Sequence, residues 1–201
     1  MKTLPLIVVL LVFVAAGENN QKDALEVPPE RVADTYAVYD SALHNPLVGD
    51  HQGEPKAYFI SDRTGDTYGQ EDPEKCIDAP ADDLHALEQA TSDFQEQKGK
   101  VYRLENRFNL GARKVKLLNK NEEGRVEEWL FNGQTRPEPP LDEATDIIRL
   151  SNVGFSGDRL LAIVTVSNYC GGLCGSERWR IFKRTKDGWT EQPWNRCVTV
   201  S

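Results

Sequence analysis

The chain has 201 residues, of which 39% are hydrophobic, 28% charged and 8% aromatic. This excludes a collagen-like chain, a coiled coil and wholesale disorder, and the length suits one domain or at most a tight pair. The formal net charge of −8 argues against a general nucleic-acid binder, which needs a basic surface to displace counterions.

Lys2 opens the chain with a small positive charge, residues 6–14 form an unbroken apolar run, and Ala15, Ala16 and Gly17 are small. This is the layout of a secretory signal peptide over 1–17, and the run is too short to span a bilayer core of about 30 Å. No cysteine at the cleavage site calls for a lipid anchor. The expected protein is therefore secreted or periplasmic, with a single α+β domain over 18–201 and no membrane span after cleavage. Loss of 1–17 takes away one lysine and no acid, so the mature charge is −9.

Pro28-Pro29-Glu30 opens a helical pattern in which Val32, Tyr36, Tyr39 and Leu43 recur at helical spacing, and Asn45-Pro46 stops it. Residues 56–60 read as a short strand, followed by an acidic loop to Asp78. A second amphipathic helix from Pro80 carries Leu84, Leu87, Thr91 and Phe94 and ends at Gly99. Residues 113–118 read as a strand. Asn121 is the expected cap of a short helix through Trp129, Leu130 and Phe131. Arg136-Pro137-Glu138-Pro139-Pro140 is a stiff connector.

The last third is strand-like. Residues 147–155 read as a strand, and residues 160–166 are apolar on both faces, as in a central strand. A glycine-rich loop over 169–176 leads to an alternating strand. Lys186-Asp187-Gly188 is a hairpin turn, and Pro193 breaks the final run into an edge strand or a bulge. The expected fold is α+β: N-terminal helices packed on a C-terminal antiparallel sheet of about four strands, stapled by disulfides.

Four cysteines in an exported protein read as two disulfides, with three pairings open. The favoured pairing joins Cys170 to Cys174 and Cys76 to Cys197. Chain entropy assigns about 2 kcal/mol to the short loop and about 5 kcal/mol to the long one. Zinc needs a second Cys-Cys or Cys-His pair, and the sequence has none.

The order Arg107-Phe108-Asn109-Leu110, Leu150-Ser151-Asn152-Val153-Gly154-Phe155, Cys170-Gly171-Gly172-Leu173-Cys174-Gly175 and Lys186-Asp187-Gly188-Trp189 resembles a group of small exported bacterial proteins with no assigned function. Tyr36, Tyr39, Asp40 and Leu43 loosely match a Tyr-x-x-Tyr-Asp/Ser-x-x-Leu helix of that group. The resemblance implies export and a single domain. It implies no activity and no catalytic residue.

Two features could carry function. Arg178, Arg180, Arg184 and Lys186 share one strand face with Phe182, in a last quarter (151–201) of net charge +3 against −12 for the rest of the mature chain. Such a face either meets the protein's own acidic helices or binds an acidic protein, a peptide or an envelope polymer. Gly171, Gly172 and Gly175 in the cysteine loop suit a tight turn, an anion nest or a wall shaped for a ligand. The leading expectation is a non-catalytic binding or accessory protein without a cofactor. Its alternatives are a thiol–disulfide oxidoreductase at Cys170 and Cys174 and a small-ligand carrier.

Other constellations are weaker. Asp66, Glu71, Asp72, Glu74 and Asp78 lack EF-hand spacing for calcium. Gly154-Phe155-Ser156-Gly157 is not a nucleophile elbow. His44, His51 and His85 have no nucleophile beside them in sequence. Trp129, Trp179, Trp189 and Trp194 read as core or sheet-face residues rather than as a sugar platform.

Overall fold

The computed structural model describes residues 24–44, 57–65, 72–133, 144–172 and 174–200. The expected signal peptide, the Asn45-Pro46 stop, His51, the connector at 136–140, and Asp66 and Glu71 of the acidic loop lie outside them.

The first helix, α1 (Pro29–His44), follows a two-residue strand, β1 (Leu25–Glu26). Its apolar stripe buries Tyr36, Val38, Tyr39, Ala42 and Leu43. Strand β2 (Ala57–Ser61) comes next, and all five of its residues are buried. A short turn of helix, α2 (Pro73–Cys76), stands where the sequence reads as loop; Asp72 caps it and Pro73 starts it. A 3-10 turn at Ala81–Asp83 leads into α3 (Leu84–Gln97). Then come β3 (Tyr102–Arg103), β4 (Lys114–Leu118) and α4 (Lys120–Asn132). Asn119, not the expected Asn121, caps α4: its side chain accepts from Asn121 and Glu122 N–H groups, while Glu122 reaches back to the Asn119 N–H.

The remaining strands are β5 (Ile147–Leu150), β6 (Gly154–Phe155), β7 (Leu161–Tyr169), β8 (Gly175–Thr185), β9 (Gly188–Gln192) and β10 (Val198–Val200). The chain is α+β, but the sheet corrects the expectation of about four antiparallel strands. Among the described residues it has eight strands and is mixed. Its order is β10-β8-β7-β5-β2-β4, with β6 also beside β7 and β9 also beside β8. Strand β2 pairs in parallel with both β4 and β5. The chain before the C-terminal strands thus contributes β2 and β4 to the same sheet and does not merely cover it. The meander of β7, β8 and β9 is antiparallel as expected, closed by the turn at 186–187.

Both faces of the sheet are covered. On one face α1 packs its stripe on Ile148, Leu150, Ala162, Val164, Val166 and Phe182. On the other, α3 covers Leu161, Ile163, Trp179 and Ile181, while α4 covers Ala57, Phe59 and Ile147. Alternating strand residues must then be apolar on both sides, which explains the near-continuous apolar runs of β5 and β7. Arg31 of α1 pairs with Asp93 of α3 at 2.8 Å, and Asp93 also accepts from the Phe155 N–H of β6, which ties the two layers together at the sheet edge.

Two disulfides pin this arrangement. Cys76–Cys197 joins α2 to the chain before β10, separated by 121 residues in sequence. The same junction carries an Ile77–Asn195 bridge and the Arg196–Asp78 ion pair. Cys170–Cys174 closes the connection between β7 and β8. No helix among the described residues is long and apolar enough to cross a membrane.

Candidate functional site

The basic strand face points inward at its centre. Arg180 is fully buried: its guanidinium grips both carboxylate oxygens of Glu191, donates to the Ala42 carbonyl at the end of α1, and stands over the Phe182 ring. Phe182 is fully buried as well. Arg178 is half-buried, and desolvation together with the neighbouring Arg180 charge lowers its pKa. Arg180 and Phe182 lie under α1 and Arg178 is half-buried beside them, so the three do not present a solvent-facing stripe. Only the end of the stripe reaches the surface: Arg184 pairs with Asp34 of α1 at 3.0 Å and stacks over Trp189, and Lys186 is exposed in the hairpin turn. Elsewhere in the basic last quarter, Arg159 meets Asp34, Lys183 meets Asp83 and Arg196 meets Asp78. The charge asymmetry of the sequence is thus met in large part inside the molecule.

The cysteine loop has a definite seat. Gly171 has φ of +98°, and a Cβ there would stand 2.3 Å from the Leu130 carbonyl of α4. Only glycine fits both the backbone conformation and the approach. The Cys170 N–H donates to the Cys174 carbonyl, and the Cys174 N–H to the Gly171 carbonyl. Two N–H groups of the loop are therefore spent within it rather than aimed at an anion. Gly172 is exposed, and Gly175 pairs with Tyr169 as β8 begins. Neither cysteine sits at a helix N-terminus, where a thiolate gains the most stabilisation.

Immediately beside this seat the sheet carries a feature that no single segment of the sequence discloses. Arg149 of β5 stands opposite Ser167 of β7, Ser167 opposite Glu177 of β8, and Glu177 opposite Thr199 of β10. Four polar residues from four strands form one continuous cross-strand row on the face shared with α3 and α4. Along β7 it falls between Leu161 and Ile163, packed under α3, and Tyr169, packed under α4.

The row floors a cleft of about 460 Å³, lined also by Glu127 of α4, Asn168, Tyr169 and Ser176. At its inner end Arg149 donates to Glu123 at 2.7 Å and to Glu127, and its guanidinium lies 5.9 Å from the centre of the Tyr169 ring. The second oxygen of Glu123 accepts from Ser61. Glu177 is 7% exposed, and Ser167 is 6% exposed with its hydroxyl making no hydrogen bond. Asn168 Oδ1 accepts from both the N–H and the hydroxyl of Ser176, which squares off the mouth of the hairpin. The outer end opens at the exposed Thr199.

Arg149, Ser167, Glu177 and Glu127 were legible only as irregularities. Ser167 and Glu177 interrupt apolar alternation in strands that are otherwise buried on that face. Nothing in the order of residues shows that the two interruptions are neighbours.

A wider groove of about 690 Å³ runs along α1, with Val27, Val32 and Tyr36 in its floor and Glu26, Arg103, Glu105 and Arg107 at its rim. Part of its polar rim is already engaged: Arg107 pairs with Glu105, and the Glu105 N–H donates to the Tyr36 hydroxyl. Among the described residues no group of three or more His, Cys, Asp or Glu side chains is arranged to hold a metal ion. His85 is exposed on α3 beside Gln89. Trp179 and Trp189 are buried, and Trp129 and Trp194 pack against the apolar clusters. No protein family matches the chain, and no curated protein or solved structure is significantly similar to it.

Proposed function

We propose that this is a non-catalytic exported binding protein that takes its ligand in the cleft between α4 and the base of the β7–β8 hairpin. The observation that carries this reading is the Ser167 hydroxyl, buried and unpartnered at the floor of an open cavity. A buried hydroxyl without a partner costs roughly 1–3 kcal/mol, and a ligand that supplies the partner recovers it. The volume lies within the usual range for small-molecule sites. The cysteine loop, closed on itself and seated on α4, supports the reading by fixing the strand ends at Tyr169 and Ser176, which line the cleft. Among the described residues no histidine or lysine lines the cleft beside Ser167, and we read the polar row as serving recognition.

The arginine stripe enters as scaffold. Arg180 and Glu191 hold β8, β9 and the end of α1 together, which keeps the strand bearing Glu177 in register. Native mass spectrometry of protein recovered from its exported compartment tests the proposal. The wild type should carry a small-molecule adduct, and Ser167→Met, which fills the floor with an apolar side chain, should lose it. An adduct retained equally by the variant, or no adduct on either protein, overturns the proposal.

A further inference from the structure

Granted that the cleft is the binding site, we infer that it recognises a primary ammonium group on an alkyl chain, carried by a free aliphatic amine or by a lysine side chain of a peptide. The groups facing the cleft differ in the hydrogen-bonding capacity they have left. Among the described residues that line it, the one full cation, Arg149, is already gripped by Glu123 and Glu127 and stands over Tyr169. An anion entering here would meet that arginine across two carboxylates. Asn168 Oδ1 is taken up by Ser176.

Two acceptors in the lining remain open to a ligand. Glu127 gives Oε1 to Arg149, while its Oε2 makes no hydrogen bond among the described residues, and its side chain is 41% exposed at the wall. The Ser167 hydroxyl lies unpartnered at the floor, more than nine-tenths buried. Beside it, one strand away, the buried Glu177 adds a further carboxylate to the lining. The lining residues thus sum to a negative charge, with two acidic side chains against one arginine.

A ligand that complements this surface is positive and donates. An ammonium has three N–H donors spread in different directions, which suits acceptors on the floor and the wall of one cavity. A quaternary ammonium satisfies the charge but leaves the Ser167 hydroxyl and Glu127 Oε2 without donors. The face of Tyr169 is already covered by Arg149, so an aromatic-cage mode of cation recognition is closed as well. The alkyl chain extends along the cleft toward Thr199, where it opens to solvent.

Calorimetric titration at low ionic strength tests this with the full mature protein. The probes are cadaverine, an end-blocked Gly-Lys-Gly peptide, tetramethylammonium, acetate and pentanol. Cadaverine or the peptide should bind at least about tenfold tighter than the other three, the scale of one charge-assisted hydrogen bond. A preference for cadaverine assigns a free amine, and a preference for the peptide assigns a lysine side chain. Ser167→Ala and Glu127→Gln should each weaken that binding about tenfold. Glu127 is on the exposed wall, so its variant keeps the test valid if Glu177→Gln fails to fold.

Tighter binding of acetate, pentanol or tetramethylammonium, abolished by Ser167→Met, overturns the ammonium assignment and leaves the cleft as the binding site. Binding of the amine unchanged in Ser167→Ala and Glu127→Gln overturns it too. If no probe binds and no native adduct is found, both readings fall together.

Discussion

Removing each disulfide separately should reveal two bonds of unequal worth. Cys76–Cys197 closes a loop of sequence separation 121, and Cys170–Cys174 one of 4. The chain-entropy relation assigns about 5 kcal/mol to the first and about 2 kcal/mol to the second at 25 °C. The double variant Cys76→Ala/Cys197→Ala additionally loses packing, because Cys76 is fully buried in the cluster under α3. For a chain of this size each kcal/mol moves the melting temperature by roughly 2–4 °C. The long-bridge variant should therefore melt about 10–20 °C below the parent, and Cys170→Ala/Cys174→Ala about 4–8 °C below it. Differential scanning calorimetry on both variants, compared with the oxidised parent, reads the difference. A short-bridge variant that melts as low as the long-bridge one refutes the entropic reasoning. It would mean that the seat of Gly171 on Leu130 carries more of the fold than loop closure does.

Gly154→Ala should cost about 3 kcal/mol, the upper end of overpacking, because its Cβ would lie 2.2 Å from the Ala90 carbonyl of α3, where no rotamer can yield; urea unfolding reads it, and a loss below 1 kcal/mol would show that α3 shifts freely. Acid should weaken the α1–α3 tie. Burial raises the Asp93 carboxyl, but Arg31 and the Phe155 N–H outweigh burial and hold it below the ordinary carboxylate range. A carboxyl depressed in the folded state contributes stability above its unfolded pKa and loses it as pH falls through the folded value. Melting temperatures taken from about pH 6 down to about pH 2 should fall less steeply for Asp93→Asn than for the parent. Parallel curves would show that Asp93 contributes nothing to the acid limb.

Much of the local structure is legible in the order of residues because its causes are local. Helix α1 follows from Pro29 and the spacing of Val32, Tyr36, Tyr39 and Leu43. The hairpin at Lys186-Asp187-Gly188 follows from turn chemistry, and the Cys170–Cys174 bridge from two cysteines four residues apart. Alternation along β8 correctly places Arg178, Arg180, Phe182 and Arg184 on one face. Alternation says nothing about what covers a face. Only the position of α1 turns Arg180 from a candidate contact into a buried ion pair, and it does so because the same sheet is covered on both sides.

The parallel neighbours of β2 were beyond reach for a related reason. A five-residue apolar strand fits either direction of pairing, and the choice is made by helices and strands far away in sequence. The cleft shows the same limit at the level of function. Arg149, Ser167, Glu177 and Thr199 become one row only through the register of four strands, and a slip of one residue would send every side chain of a strand to the opposite face. Sequence alone determined the three long helices, the hairpin turn and the alternation of the strands, since each depends on neighbours a few residues apart. Tertiary structure decided which faces meet, which charges are buried and which polar groups share a cavity, since those depend on pairings between residues tens of positions apart.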